Sequence, residues 1–138
     1  MGRRITDTHW AYLAGLLDAD GCFYFRPGNP EIVISGTNKK HLETIQQIFG
    51  GNVRRHGKAQ GNWRQSWKWA VGSKEDISRV IDGVHPYLAL KKERAFLLYN
   101  LLVRYSTRDH AELKRLNKRG NPKKKSSQRP RLVGGASA

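Results

Sequence analysis

Hydrophobic residues recur with two different spacings along this chain. In four segments they return every three or four positions, which is the spacing of a helix with one buried face: residues 10–17, 39–49, 74–84 and about 90–105. Four shorter runs are rich in aromatic and β-branched residues and are divided by turns, as β-strands are: residues 22–26, 31–35, 52–56 and 63–71. These runs predict two β-hairpins, and a further short amphipathic helix is predicted over 109–116.

Capping residues mark the ends of the predicted helices. We expect the N-caps at the following positions: Asp7 or Thr8 for the first helix, Asn38 for the second, and Ser73 for the third, where Asp76 would complete a capping box. Gly21 follows the first helix and is expected to take the left-handed conformation. Gly50 stops the second helix, and Pro86 stops the third.

The order of these elements, α-β-β-α-β-β-α-α, predicts an α+β fold. Its core is an α-β-β-α-β-β-α unit with a four-stranded antiparallel sheet. Helices cover one face of the sheet, and the other face is free to bind DNA. Residues 1–116 are expected to form a single domain, and residues 117–138, which are dominated by Lys, Arg, Ser, Gly and Pro, a basic disordered tail.

Side chains alternate across a strand, so odd and even positions separate the two faces of the predicted sheet. In the last strand Trp63, Trp67 and Trp69 alternate with polar residues. The uncovered face is expected to carry these residues as DNA contacts: Tyr24, Arg26, Glu31, Val33, Ser35, Arg54, His56, Arg64, Ser66 and Lys68. Arg and Lys on such a sheet can read guanine in a major groove. The alternative is a solvated sheet face, but Glu31 is its only acidic residue.

Charge favours a nucleic-acid partner. The 138 residues include 26 Lys plus Arg and 11 Asp plus Glu, a formal net charge of +15. Nine of the basic residues lie from Lys114 onward, and every acidic residue precedes that position, so residues 1–113 still carry 17 basic against 11 acidic residues. A basic body of this kind favours a polyanion, with nucleic acid ahead of a membrane surface.

Several classes of protein and site are excluded. Cys22 is the only cysteine, so an intrachain disulfide and a cysteine-rich zinc site are not possible. The sequence has no apolar run long enough for a membrane span and no secretory signal. We therefore expect an intracellular protein. The five histidines are scattered and form no HExxH or HNH-like grouping.

Residues 13–21 read LAGLLDADG. This stretch resembles the motif of the LAGLIDADG homing endonuclease family, with Leu17 in place of isoleucine as its only departure. The order of helices and hairpins is similar to that of the family over about residues 8–105. The chain contains one copy of the motif, and the resemblance implies that it works as a homodimer whose two motif helices pack together. Ala11, Ala14 and Gly15 are small enough for such a contact, although packing against another helix of the same chain is the alternative.

Carboxylates at the C-terminal end of a helix are repelled by the helix dipole, so a cation there would be stabilising. The resemblance implies that Asp20 is the catalytic metal ligand, and the backbone carbonyl of Ala19 would be a second oxygen ligand. Hard oxygen donors suit Mg²⁺ or another divalent cation. For Asp18 a structural role at the end of the helix is the competing interpretation.

Lys91 matches the position at which single-motif members of the family often carry an active-site lysine, so it is the second expected catalytic residue. The alternatives are a solvated Lys91 and a register in which Lys92 takes the role. Some members place a Gln after the second strand, and this chain has none there. Thr37 or Asn38 would position water instead, although Asn38 is also expected to cap its helix.

The resemblance implies a site-specific endonuclease that cuts both strands of a long, near-palindromic DNA site with a divalent cation. The coding context would be a mobile intron or, as the alternative, a free-standing gene. The expected location is then the cytoplasm or nucleoid, or an organelle that carries the host intron. Two other functions stay open at this point. One is an RNA maturase that binds intron RNA and assists its splicing. The other is a DNA-binding regulator of the same fold without catalysis.

Overall fold

The computed structural model describes residues 4–57, 61 and 64–119. This part of the chain contains five α-helices and four β-strands, in the following order: α1 (Asp7–Asp20), β1 (Gly21–Tyr24), β2 (Glu31–Gly36), α2 (Lys39–Phe49), β3 (Asn52–Arg55), β4 (Trp67–Val71), α3 (Lys74–Val84), α4 (Lys92–Val103) and α5 (Thr107–Arg119). A short 3₁₀ turn, His85–Tyr87, follows α3. None of the helices in this described part combines the length and the apolarity needed to span a bilayer.

The strands form one antiparallel sheet in the order β1-β2-β4-β3. Each hairpin contributes two neighbouring strands, and β2 pairs with β4 to join the hairpins, with Ile34 opposite Trp69. The predicted α+β fold with a four-stranded antiparallel sheet is therefore confirmed.

The hydrophobic core lies between the helices and one face of the sheet. Phe23, Ile32, Trp69 and Val71 point into it from the strands, and Leu13 and Leu17 of α1 are fully buried against them. These strand residues occupy the positions that the alternation predicts for the inner face. Trp63 lies outside the described residues, so its predicted inward position is not tested.

The first helix begins one or two residues earlier than predicted, because its N-cap is Thr6 rather than Asp7 or Thr8. The Thr6 side chain accepts a hydrogen bond from the backbone N–H of His9, and the His9 ring accepts one from the backbone N–H of Thr6. This reciprocal pair is a capping box in which histidine takes the place of the usual Glu or Gln. The predicted caps Asn38 and Ser73 are confirmed.

Gly21 ends α1 in an extended conformation, with φ −85° and ψ 158°, so the predicted left-handed conformation is wrong. The need for glycine here is spatial instead. A Cβ on Gly21 would lie 2.5 Å from Cδ2 of Leu17 and 2.7 Å from its Cα. The chain therefore passes directly from helix into strand, which puts the end of α1 and the start of β1 at one place.

Several element boundaries differ from the predicted ones. Helix α4 spans Lys92–Val103, shorter at both ends than 90–105. Strand β4 begins only at Trp67. Helix α5 continues to Arg119, past the predicted domain end at 116, and Asn117 Nδ2 donates to the Phe23 carbonyl of edge strand β1 at 2.9 Å. The rest of the predicted tail, residues 120–138, lies outside the described residues.

Candidate active site and nucleic-acid interface

The carboxylate of Asp18 ties the end of α1 to the segment that leads into α4. It accepts backbone hydrogen bonds from Ala89 at 2.7 Å, Leu90 at 3.0 Å and Lys91 at 2.9 Å. Burial opposes ionisation of this carboxyl, but the three N–H donors outweigh burial and lower the pKa of Asp18 below its ordinary value of 3.8. Asp18 thus fills a structural position.

Asp20 is the last residue of α1, and its side chain is exposed. Within the described part of the chain its carboxylate accepts no hydrogen bond and forms no ion pair. The last carbonyl groups of a helix have no intrahelical donor, and Ala19 is among those residues. Two kinds of hard oxygen donor are therefore available together at the end of α1.

Lys91 lies at the same place, although it is 71 residues from Asp20 in sequence. Its Nζ donates to the backbone carbonyl of Gly21 at 2.6 Å. Burial lowers the pKa of Lys91 from its ordinary value of 10.5, while the negative charges of Asp18 and Asp20 act in the opposite direction. The neighbouring Lys92 is exposed and begins α4. Of the two lysines, Lys91 is thus the one directed toward the end of the motif.

Cys22 and Tyr24 form a further pair beside this site that the sequence did not identify. A side-chain hydrogen bond with Cys22, together with burial, raises the pKa of Tyr24 to about 12. Cys22 also acts electrostatically on Lys91. The signal was present in the alternation: Cys22 and Tyr24 are two residues apart on one strand and so share its outer face.

The register of the sheet groups many of the predicted DNA contacts on its outer face. Tyr24 lies opposite Glu31, and Lys68 lies between Ser35 on one side and Arg54 on the other. The remaining predicted contacts lie beyond the strand ends: Arg26, His56, Arg64 and Ser66. Arg26, Ser35, Arg54, His56 and Arg64 are exposed.

Three of the predicted contacts have surroundings that the sequence did not reveal. Val33 is only 6% exposed although it is on the outer face, so the expectation that it is open to DNA does not hold in this structure. The Arg26 guanidinium lies 5.4 Å from the centre of the Tyr24 ring, a cation–π contact. Glu31 forms ion pairs with both Arg54 and Lys68.

The predicted dimer contact needs one correction. Ala14 is fully buried in the core of its own chain, so it offers no surface to a second helix. Ala11, Gly15 and Ala19 are exposed and recur at intervals of four residues, on one side of α1. No atom outside the helix lies within 4 Å of the position that a Cβ on Gly15 would take. Within the residues that the structure describes, α1 is therefore uncovered at these three positions.

Thr37 and Asn38, which were predicted to position water, lie at the start of α2. Asn38 accepts from the N–H of His41 and caps α2, and Thr37 is exposed. Among the residues that the structure describes, no three His, Cys, Asp or Glu side chains converge as a ready-made metal site. The donor set at the end of α1 is one carboxylate with backbone oxygens. That set suits Mg²⁺, which keeps several waters and takes few protein ligands.

The sequence of residues 7–84 matches the family model described as the LAGLIDADG-like domain. Among solved structures, the homing endonuclease I-CvuI in complex with its target in the presence of calcium superposes with a TM-score of 0.64 at 21% identity, over 86% of this chain and 94% of that one. The archaeal intron-encoded homing endonuclease I-Vdi141I in complex with DNA gives 0.57 at 15%, over 94% and 89%.

The LAGLIDADG meganuclease I-CpaMI bound to uncleaved DNA gives a TM-score of 0.58 at 20% identity, over 94% of this chain and 54% of that one. At these identities the similarity demonstrates a shared fold. No curated protein matches the chain in sequence.

Proposed function

The chain belongs to the LAGLIDADG-like domain family, and from that membership we propose that it is a site-specific DNA endonuclease that hydrolyses phosphodiester bonds with a divalent cation and acts as a homodimer. One observation carries the proposal. The carboxylate of Asp20, which accepts no hydrogen bond and forms no ion pair within the described chain, lies at the end of α1 beside Lys91. Strand β1 follows Asp20 directly, and its outward-facing side chains lie at one edge of the basic sheet face.

The two residues have complementary tasks. Asp20, with the Ala19 carbonyl, would hold Mg²⁺ against a scissile phosphate. When bound, the cation supplies Lewis acidity and lowers the pKa of a water molecule. Lys91 neutralises the charge that develops on the phosphate: one of its three N–H donors is held by the Gly21 carbonyl, and two remain for phosphate oxygens.

The fixed position of Lys91 matters as much as its charge. Its backbone N–H donates to Asp18, and its Nζ donates to the Gly21 carbonyl. The lysine is therefore held both at its backbone and at its ammonium group before any substrate arrives. A preorganised donor costs little reorganisation when charge develops. The end of α1 and the segment before α4, which are distant in sequence, are thus held against each other.

Double-stranded DNA is the proposed substrate. The outer sheet face carries exposed Arg54, and exposed Arg26 and Arg64 lie just beyond the strand ends. Arginine side chains suit phosphate oxygens and guanine edges. The DNA-bound state of I-CvuI, I-CpaMI and I-Vdi141I supports this choice of partner. DNA on this face would lie against β1, whose first residue adjoins Asp20.

Cutting of both strands requires two reaction centres, and one protomer contributes one. A homodimer through the open side of α1 would bring two copies of Asp20 together. Ala11 and Gly15 allow two helix backbones to approach closely, as small residues do, and the partner would cover a face that its own chain leaves exposed.

Cleavage of a randomised duplex library tests the proposed function. Purified protein is incubated with Mg²⁺ and, separately, with Ca²⁺, and the cut ends are sequenced. Discrete ends from one long, two-fold-related site with Mg²⁺ support the nuclease. Selective binding of a site without cutting in either metal would contradict it and favour the DNA-binding regulator. The absence of both cutting and site selection would favour the RNA maturase.

A further inference from the structure

Glu31 forms the centre of a three-residue ion-pair cluster on the outer sheet face. Its Oε2 lies 3.3 Å from Nη2 of Arg54, and its Oε1 lies 3.7 Å from Nζ of Lys68. Both carboxylate oxygens are therefore engaged by cations. The Glu31 side chain is only 14% exposed, whereas that of Arg54 is 56% exposed.

The register shows how far these side chains reach. Lys68 lies opposite Ser35, which is four residues from Glu31 on the same strand and so about 13 Å away along it. The pair of residues between them is Val33 and Ala70, which lie opposite each other. Lys68 must therefore extend across this pair to reach Glu31. The low exposure of Val33 and Ala70, 6% and 4%, agrees with a charged layer that lies flat on them.

This arrangement opposes indiscriminate binding of DNA. A cation that is paired with a carboxylate has less to gain from a phosphate, and the carboxylate itself repels phosphate. The outer face is basic as a whole, so without Glu31 both Arg54 and Lys68 would be available to any duplex. With Glu31 present, DNA must offer acceptors that replace the carboxylate at the right places, as guanine O6 and N7 do for Arg.

We propose that Glu31 is a specificity-determining residue of the DNA-binding face, a positioning residue that acts through Arg54 and Lys68 by competing with DNA for them. The inference rests on the proposed function, because it requires the outer sheet face to bind DNA. Glu31 lowers the affinity for duplexes of arbitrary sequence and leaves the affinity for the correct site high. It also holds both cations in one direction across the sheet, which fixes the position at which they meet the DNA.

The test compares Glu31→Gln with wild type and with Glu43→Gln. The control makes the same change of net charge: Glu43 pairs with Lys39 on the surface of α2 at 3.8 Å. Glu31→Asp is the second variant, since it keeps the charge but withdraws it by one methylene. The stability of each protein is measured by thermal unfolding. Binding to poly(dI–dC) is measured over a range of salt concentrations, and the preferred sequences are selected from a randomised duplex library.

For Glu31→Gln we expect tighter binding to poly(dI–dC), with a slope of log K against log salt that is steeper by about 1 to 2, because one or two more cations reach phosphates. We expect a broader set of selected sequences at the positions that Arg54 and Lys68 contact. Glu31→Asp should lie between wild type and Glu31→Gln. In an Arg54→Gln background, the effect of Glu31→Gln on the selected sequences should be reduced, since the residue acts through that arginine.

Four results would overturn the proposal. If Glu31→Gln and Glu43→Gln change the salt slope and the selected sequences equally, Glu31 is only one more surface charge. If folded Glu31→Gln loses its affinity for the selected site, Glu31 contacts a base directly. If wild type selects no sequence at all, the proposed function fails and this inference fails with it, whereas selection by wild type that is unchanged in Glu31→Gln refutes the inference alone.

Discussion

The backbone N–H of Lys91 donates to Oδ1 of Asp18 at 2.9 Å, across 73 residues of sequence. Through this bond and the neighbouring bonds from Ala89 and Leu90, the first of the two motif carboxylates is used to build the site. The second, Asp20, accepts no hydrogen bond and forms no ion pair within the described chain. The two aspartates of one motif therefore have different tasks, and separate experiments distinguish them.

Asp18→Asn is expected to destabilise the fold. The substitution removes the charge that receives three backbone donors, and loss of such an acceptor costs about 1–3 kcal/mol of unfolding free energy. Since the folded-state pKa of Asp18 is lowered, its contribution to stability is present above pH 3.8 and is lost as the pH falls through the folded-state pKa. Urea unfolding from about pH 2 to about pH 7, the range in which carboxyl groups titrate, measures how the unfolding free energy of each protein depends on pH.

Asp20→Asn is the matched control for stability. Its side chain is exposed, and removal of a negative charge from the C-terminal end of a helix is neutral or slightly favourable. The unfolding free energy should stay within about 0.5 kcal/mol of wild type. An equal loss of stability in both variants would refute the structural role of Asp18.

The same Asp20→Asn variant should lose cleavage while it retains DNA binding. Removal of the proposed metal ligand withdraws several kcal/mol of transition-state stabilisation, which corresponds to a fall of about 1,000-fold in rate. Single-turnover cleavage of the selected site measures the rate, and gel-shift titration in Ca²⁺ measures the binding. Parallel loss of both would mean that Asp20 is needed for binding.

Lys91→Met is expected to reduce the cleavage rate by about 100- to 1,000-fold, the cost of one electrostatic donor at a reaction centre. Methionine keeps an unbranched side chain that is one atom shorter, and it removes the charge and the bond to the Gly21 carbonyl. Lys92→Met is the matched control, because it removes an exposed charge from the adjacent residue. If Lys92→Met has the larger effect on single-turnover cleavage, the assignment of the two lysines is reversed.

Gly21→Ala is expected to destabilise the fold by about 1–3 kcal/mol, the usual cost of overpacking. The new Cβ would lie 2.5 Å from Leu17 Cδ2 and 2.7 Å from backbone Cα, and the backbone atom cannot move aside cheaply. Gly36→Ala is the control, since the position of its Cβ has no atom within 4 Å. Thermal unfolding of the two variants checks the difference, and equal melting temperatures would refute it.

The alternation and periodicity of apolar residues predicted the fold class and the two faces of the sheet, because these patterns directly record which side of each element is buried. Trp69 and Phe23 point inward as their parity required. Helix ends were less predictable. The cap of α1 depends on a His9 ring in an unusual role. At Gly21 the decisive feature is the lack of space for a Cβ beside Leu17. Neither feature produces a recognisable spacing of residues along the sequence.

The candidate site came from the family resemblance rather than from spacing, since residues as distant as Asp20 and Lys91 meet only after folding. The three backbone donors to Asp18 could not be predicted, because backbone groups leave no trace in side-chain patterns. The Glu31 ion pairs were also hidden: Arg54 is on β3 and Lys68 on β4, and the strand order that brings β4 next to β2 was not specified by the alternation. The burial of Ala14 was hidden as well, because it depends on how α1 packs in the folded chain.

Gly15→Glu tests the proposed homodimer. No atom outside the helix lies within 4 Å of the position that its Cβ would take, so the folded protomer should tolerate the larger side chain. Two copies of α1 packed through this residue would instead face each other with buried like charges, which is strongly unfavourable. Sedimentation equilibrium should therefore find a dimer for wild type and a monomer for Gly15→Glu, with cutting of both strands lost.

Gln47→Glu is the control for this last variant, because it adds the same charge at an exposed position of α2 and should leave the dimer intact. Cleavage of the selected site then reports on assembly, since a folded Gly15→Glu protomer still carries Asp20 and Lys91 but would lack a second reaction centre. A wild-type protein that sediments as a monomer even with its DNA site bound would refute the homodimer. A Gly15→Glu protein that remains dimeric and cuts both strands would show that the exposed side of α1 is not the interface.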